Sequence, residues 1–387
     1  MIKIDNKYNC CGCAACVQVC PQQCIEFSED IHGFRYPSVH LETCVDCHLC
    51  EKVCPVINQS VPKTPLAVYA AKNINDDVRM SSSSGGIFTS IAEAVIKEGG
   101  VVFGARFDEN WEVRHSYAHS MNDLSPFKGS KYLQSIIGQS YVDAKQFLDN
   151  GRQVLFTGTP CQIAGLKKFL RKDYINLTTV DLVCHGVPSP LVWRSYLDYV
   201  RNINVGYEIT DISFRSKISG WKKFSILISG RLQNTDSHNK IILQETIDEN
   251  LYMKIFLHNL CLRPSCYACP SKSGKSYSDI TLADFWGIED IIPDLYDSKG
   301  VSMVMVNSDK GLNLFQNLHV LKEQSSYESA IKYNSCIELN VKENKFVSKF
   351  WELFSTGDFA VASKALKYFN PSYMDRVISL IKKIIKS

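Results

Sequence analysis

No sign of charge dominates this sequence. Its 43 Lys and Arg against 40 Asp and Glu leave a formal net charge of +3 over 387 residues. That balance supports neither nucleic acid nor an anionic membrane surface as the main partner. No apolar run approaches the roughly 18 residues that a membrane helix needs. Met1 to Asn9 alternates charged and apolar residues and lacks a signal-peptide core. The chain is therefore expected in the cytoplasm, without a transmembrane segment. No Gly-x-Gly-x-x-Gly is present, so a standard dinucleotide site is unsupported. Ser273-Gly274-Lys275-Ser276 looks like the tail of a phosphate loop, but the position of the opening glycine is Cys269, which rejects an ATPase reading. No Ser/His/Asp pattern stands out, and the nine histidines show no metal-ligand spacing. With 45% hydrophobic and 21% charged residues, the composition also excludes a disordered chain.

Cysteine is what the chain has in abundance. There are 16, ten of them in the first 54 residues. A secreted disulfide scaffold would be small and would carry a signal sequence, so metal or redox chemistry is the expected use. Cys10, Cys13, Cys16 and Cys20 precede Pro21, and Cys44, Cys47, Cys50 and Cys54 precede Pro55 with the same spacing. This is the bacterial ferredoxin run, in which the fourth cysteine serves the other cluster. The expected sets are Cys10, Cys13, Cys16 and Cys54 on one 4Fe-4S cluster, and Cys44, Cys47, Cys50 and Cys20 on the second. Two zinc sites are the alternative, but zinc favours paired C-x2-C knuckles set well apart. Cys11 and Cys24 are left over and read as buried small residues. Asn58 to Pro65 reads as a linker.

Beyond it, Ser81 to Gly86 opens a helical pattern, Ile87 to Glu98, with serine as the expected N-cap and Gly99 at the end. Such a loop offers backbone N–H groups to an anion, although a plain capped helix explains it too. Val101 to Ala105 reads as a strand. Gln153 to Phe156, Thr157 to Pro160 and Cys161 to Leu170 read as strand, turn and helix, with Thr159 as N-cap and Pro160 first in the helix. Leu177 to Val183, Cys184 to Gly186 and Leu191 to Val200 repeat the unit. Two such units predict parallel strands with helical crossovers, and place Cys161 and Cys184 on the ligand-binding rim of the sheet. Cys266 and Cys269 form a later C-x2-C pair, with Cys261 upstream. A third cluster on Cys161, Cys184, Cys266 and Cys269 is one reading; a scatter of buried thiols is the other. Met303 to Val306 and Gly311 to Leu318 continue the α/β pattern. The amphipathic tail, Met374 to Lys386, suits docking on the protein's own body or a membrane surface.

The motifs Ser83-Ser84-Gly85-Gly86, Gly129-Ser130-Lys131-Tyr132, Gly158-Thr159-Pro160-Cys161-Gln162, Cys184-His185-Gly186, Cys266-x2-Cys269, Asp279-Ile280 and Asp284-Phe285-Trp286-Gly287 occur in this order. Together they resemble the family of coenzyme F420 hydrogenase/dehydrogenase beta subunits over roughly residues 66 to 330. The resemblance implies FAD and a further 4Fe-4S cluster in the body. It implies Cys161, Cys184, Cys266 and Cys269 as ligands, with Cys261 as a possible substitute. It sets Ser84, Gly85, Gly86, Lys131, Thr157, Gly158 and Thr159 around the flavin. Lys131, facing a flavin phosphate or a hydride acceptor, and His185, delivering a proton, are the candidate catalytic residues.

The expected fold is α/β (mixed α+β). Residues 1–58 form a two-cluster ferredoxin-like domain, 59–65 a linker, 66–150 the first part of the body, 151–330 the part with the third cluster, and 331–387 a helical tail. The expected activity is that of an iron–sulfur flavoenzyme passing electrons between a ferredoxin-like protein and an organic, small-molecule or sugar-linked substrate. A flavin is needed because each cluster moves one electron and most organic reductions need two. Three bound clusters at about −2 each would turn the formal charge to about −3. The rival readings are a non-catalytic electron-transfer component of a larger complex and a zinc-binding interaction module. Use of F420 itself, the direction of flow and homo-oligomerisation stay open.

Overall fold

The two cysteine runs are wound by backbone that few side chains tolerate. Gly12 and Ala14 flank Cys13 with φ of 71° and 62°, and Asp46 and His48 flank Cys47 with φ of 49° and 57°. The left-handed residues stand at equivalent places in both runs. Alternation of this kind turns successive N–H groups inward and makes a concave nest suited to an anion. A hairpin of β1 (Ile25–Glu29) and β2 (Arg35–Val39) joins the runs. In the computed structural model, residues 1–233, 238–364 and 366 are described. The tail segment Met374 to Lys386 lies outside them.

The body is built on an eight-stranded sheet. Its strands are β3 (Ala67–Asn73), β4 (Val101–Phe107), β5 (Val113–Ala118), β6 (Val154–Gly158), β7 (Leu177–Leu182), β11 (Ile280–Asp284), β12 (Ser302–Val306) and β13 (Val320–Ser325). They lie in the order β13-β3-β12-β11-β7-β6-β4-β5. Strands β4, β6, β7 and β11 pair in parallel. Strands β5, β12 and β13 run antiparallel to their neighbours. The parallel expectation thus holds for the centre. It fails for Met303 to Val306, which pairs antiparallel with β11 after a connection that holds the short helix Ile288–Ile291. Parallel strands β6 and β7 are buried on both faces, so Val154, Leu155, Phe156, Leu177 and Val180 are all nearly inaccessible.

A second, three-stranded antiparallel sheet of β8 (Tyr207–Ser216), β9 (Ser225–Leu232) and β10 (Lys240–Thr246) is inserted between β7 and β11. It packs on the helix Pro190–Ile203 through Trp193, Tyr196, Phe214 and Ile226. Helices Tyr327–Tyr333, Val347–Phe354 and Phe359–Ser363 follow the last strand. Among the described residues no helix is long and apolar enough to cross a membrane.

The expected serine cap is replaced by another device. Gly86, at φ 84°, is the N-cap of the helix Ile87–Lys97, with no side-chain cap. The serines bond elsewhere: Ser82 Oγ donates to Val78 and Ser84 Oγ to Val301. The Gly85 N–H is also committed, to Ser302 Oγ at 2.9 Å. A β-carbon on Gly85 would lie 2.5 Å from the Ala71 carbonyl oxygen, so this glycine is required for close packing on β3. By contrast Thr159 is the N-cap expected of the helix Pro160–Leu170, and it forms a capping box with Gln162.

Candidate redox centre at the module–body seam

Four thiols of the body meet where the sequence units end. Gly158 pairs with Asp181 across β6 and β7, and Cys161 and Cys184 each lie three residues beyond that pair. The chain after Cys184 pairs back with the chain before Cys266: Arg263 N–H donates to Val187 at 2.9 Å, and Ser189 N–H to Cys261 at 2.9 Å. A β-carbon on Gly186 would sit 3.3 Å from that of Cys266. Cys184 interacts electrostatically with Cys266, Cys161 and Cys269, so the four predicted thiols are brought together. Burial pushes the Cys184 thiol up, that of Cys266 up to about 12 and that of Cys269 up to about 11. Four half-buried thiols resist ionisation together unless cations balance them. The Val187 N–H points at Cys266 Sγ at 3.4 Å, and the Lys272 ammonium, held by the Cys184 and Cys336 carbonyls, faces Cys184 and Cys269. Donor set and cations fit a dianionic iron–sulfur cluster. Cys261 stands apart, fully buried in the apolar cluster with Tyr252 and Phe256.

The amino-terminal thiols form two further groups. Cys16 interacts with Cys10 and Cys54, and Cys13 with Cys16 and Cys54. Cys20, Cys44, Cys47 and Cys50 line one open pocket. Burial opposes ionisation of Cys20, yet the N–H groups of Cys24, Gln22 and Gln23 outweigh it and hold the thiol below its usual value. Cys47 is exposed, whereas Cys10, Cys13 and Cys16 are buried. Among the described residues no three Cys, His, Asp or Glu side chains converge on a single-ion site. Thiols standing around a cavity suit a cube of iron and sulfide better than one zinc.

Cys11, read from sequence as a packing residue, has a more particular place. Its buried thiol interacts with both Cys13 and Cys161. The helix that starts beside Cys161 reaches the same spot one turn later: a β-carbon on Gly165 would lie 2.8 Å from that of Cys13. Cys13, Cys11 and Cys161 therefore form a continuous line of sulfur from module to body. Cys24 stands 3.4 Å from Cys20, sulfur to sulfur.

The predicted flavin residues divide into two groups. Thr157, Gly158 and Thr159 form the corner that aims Cys161. Thr157 Oγ1 donates to Phe103 at 2.9 Å, Thr159 N–H to Gln162 at 2.9 Å, and the Thr157 carbonyl accepts from His115 at 3.0 Å. Ser84, Gly85 and Gly86 lie on the same sheet edge beside the Lys131 loop, joined to it by Ser130 N–H donating to Ser83 Oγ at 2.7 Å. The Lys131 ammonium donates to the Lys128 and Gly129 carbonyls, and burial alone lowers it to about 7. No carboxylate offsets that burial among the described residues. Beneath the loop, Arg215 donates to both carboxylate oxygens of Asp284, to Tyr132 Oη and to the Ser83 carbonyl. Lys217 donates to the Ser84 and Arg79 carbonyls, and burial lowers it to about 7. Neither basic residue stands out in the sequence, because both lie on the unpredicted strand β8 or just past it. His185 is held by Asn259 at 2.6 Å and lies 3.9 Å from Cys336 Sγ; burial lowers its basicity.

His115 supplies a pH test of this corner. It is buried between Ser135 Oγ, at 2.6 Å, and the Thr157 carbonyl, and burial lowers it to about 4. The unfolded chain takes up a proton near pH 6.5, before the folded one does, so stability is complete above that pH and falls as pH drops toward 4. Wild type should lose about 2 kcal/mol more than His115→Gln between pH 7 and 5. Chemical denaturation at both pH values measures this; equal losses would contradict the assignment.

Residues 151–328 match the family described as the carboxy terminus of the coenzyme F420 hydrogenase/dehydrogenase beta subunit. Residues 9–58 match the 4Fe-4S dicluster domain. A component of the F420H2 dehydrogenase of Methanosarcina mazei is 24% identical over 162 residues, 40% of this chain and 46% of that protein. The chain thus spans under half the length of that relative. An uncharacterised protein of Methanocaldococcus jannaschii is 27% identical over 376 residues, 88% of this chain and 93% of that protein. A 7Fe ferredoxin of Hydrogenibacillus schlegelii is 44% identical over 43 residues, 11% of this chain and 49% of that protein. Among solved structures, a xenon-derivatised F420-reducing NiFe hydrogenase complex of Methanosarcina barkeri aligns with 14% identity and a TM-score of 0.44, over 79% of this chain and 93% of that one.

Proposed function

Because the chain joins a 4Fe-4S dicluster domain to the carboxy-terminal domain of the coenzyme F420 hydrogenase/dehydrogenase beta subunit, we propose that it is an iron–sulfur flavoprotein oxidoreductase. It takes electrons from a ferredoxin-like protein and delivers them through FAD to an organic substrate, or runs the reverse. The observation that carries the reading is the line of sulfur from Cys13 through Cys11 to Cys161. It joins module and body within one apolar cluster that holds Cys11 and Cys13 and packs against Cys161.

Cys20, Cys44, Cys47 and Cys50 hold the cluster that a protein partner meets, since Cys47 is exposed and Val45 beside it is 60% accessible. Cys10, Cys13, Cys16 and Cys54 hold the next one at the seam. Cys161, Cys184, Cys266 and Cys269 hold the third. Clusters carry single electrons, and a flavin converts them to two-electron chemistry. Lys131 is suited to the flavin's anionic part, because among the described residues its ammonium donates to carbonyls alone. Gly85 and Gly86 keep the adjoining backbone close, and Thr157, Gly158 and Thr159 fix the strand–helix corner between flavin and cluster. His185 stands beside Cys184 as a candidate proton donor.

The test is anaerobic. Protein mixed with a reduced ferredoxin should bleach its flavin band after the clusters are reduced. Cluster reduction with no bound flavin and no electron delivery would favour a relay component that lacks its own substrate pocket.

A further inference from the structure

One buried cation lies in the seam between module and body. Arg263 is 1% exposed. Its Nε donates to the Cys10 carbonyl at 2.7 Å, and its Nη2 reaches Cys10 Sγ at 3.4 Å and the Arg35 carbonyl at 2.9 Å. Its Nη1 donates to Gln134 at 3.1 Å. The guanidinium stacks on Tyr36 at 4.3 Å. A β-carbon on Gly12 would lie 2.9 Å from Nη1, so the nest around Cys13 is closed over this group. Arg263 is also three residues before Cys266, whose N–H donates to its carbonyl at 2.9 Å, and it interacts electrostatically with Cys266 and Cys161. No carboxylate pairs with it among the described residues; its charge faces sulfur on both sides.

The outer thiols face charges of both signs that water reaches. Asp46 and Glu51 flank Cys47 and Cys50, but both pair with the Met1 ammonium and with His48, and that ammonium faces the Cys50 thiol ahead of Glu51. Both carboxylates lie in solvent reach, at 65% and 35% side-chain exposure.

Resting on the cluster assignment above, we propose that Arg263 is a redox-positioning residue. It raises the reduction potentials of the two clusters it separates and gives the wire a preferred inward direction. Adding an electron to a cluster adds a negative charge, and a desolvated cation favours that charge far more than an exposed one does. One electron leaves a reduced outer cluster, which is thereby oxidised, and reduces the seam cluster; no bond or proton changes. The electron is supplied by a reduced ferredoxin-like protein.

Anaerobic redox titration followed by electron paramagnetic resonance tests this on wild type, Arg263→Gln and Arg263→Lys. Wild type should show its lowest midpoint at the outer cluster. In Arg263→Gln the inner midpoints should fall so that, at a fixed potential, the reduced-to-oxidised ratio drops at least tenfold, which is about 59 mV for one electron. The outer midpoint should not move, and Arg263→Lys should stay nearer wild type. Full iron content with unmoved inner midpoints would overturn the proposal. So would an outer cluster with the highest midpoint in wild type, a result available even if Arg263→Gln fails to retain iron. A wild-type iron count of about eight would instead fail the third-cluster assignment and leave the effect on the seam cluster to be read alone.

Discussion

Cys184→Ala should remove about a third of the bound iron, roughly four atoms of about twelve, and should stop donor-driven flavin reduction on the wild-type timescale. The reason is local. The proposed body cluster would lose one of its four thiol anchors, the one supplied from just past the end of β7. Nothing that shapes the amino-terminal sites depends on it, because those loops are set by Gly12, Ala14, Asp46 and His48 at positive φ. The spectrum of the two module clusters should therefore persist. Cys261→Ala is the companion measurement. Its thiol is fully buried in the apolar cluster with Tyr252 and Phe256, and none of the other four thiols acts on it electrostatically, so iron should be retained. Iron loss in Cys261→Ala with retention in Cys184→Ala would reverse the assignment.

Asp284→Ala should cost about 3–5 kcal/mol of stability. Its carboxylate takes two bonds from Arg215 and one from Trp221 Nε1 at 2.7 Å. Both charged side chains are sheltered, Arg215 at 5% and Asp284 at 14% exposure. Removing one partner leaves a buried guanidinium unpaired, and the cost is its desolvation rather than the lost attraction. The Ser83 loop, tied to Arg215, should loosen with it, so flavin occupancy should fall as well. Arg215→Met combined with Asp284→Leu should recover part of the loss, since an apolar pair replaces a buried ion pair at little cost. Anaerobic denaturant unfolding reads both effects. A loss below about 1 kcal/mol in Asp284→Ala would place the pair among ordinary surface bridges.

The sequence spoke most clearly where chemistry is local. Eight cysteines at ferredoxin spacing need no tertiary information, and Cys161 and Cys184 follow from the rule that strand ends share a rim. Cys11 reads correctly as buried, but its place between Cys13 and Cys161 depends on how the helix Pro160–Leu170 meets the module, which no spacing encodes. Arg263 touches a residue 253 positions away, and Arg215 meets Asp284 across 69. Both look like surface charges in a one-dimensional reading. Strand β8 escaped because the exposed Glu208 and Asp211 and the buried Arg215 break the apolar pattern that signals a strand. The serine run misled for the opposite reason. Serine is a strong N-cap in general, but here the chain must pass within contact of β3, and only glycine fits.

The most direct measurement is the iron, sulfide and flavin content of protein purified without oxygen. The account predicts about twelve irons, as much sulfide, and one FAD per chain. About eight irons and no flavin would contradict it, leaving a two-cluster module on a body that does no redox chemistry of its own.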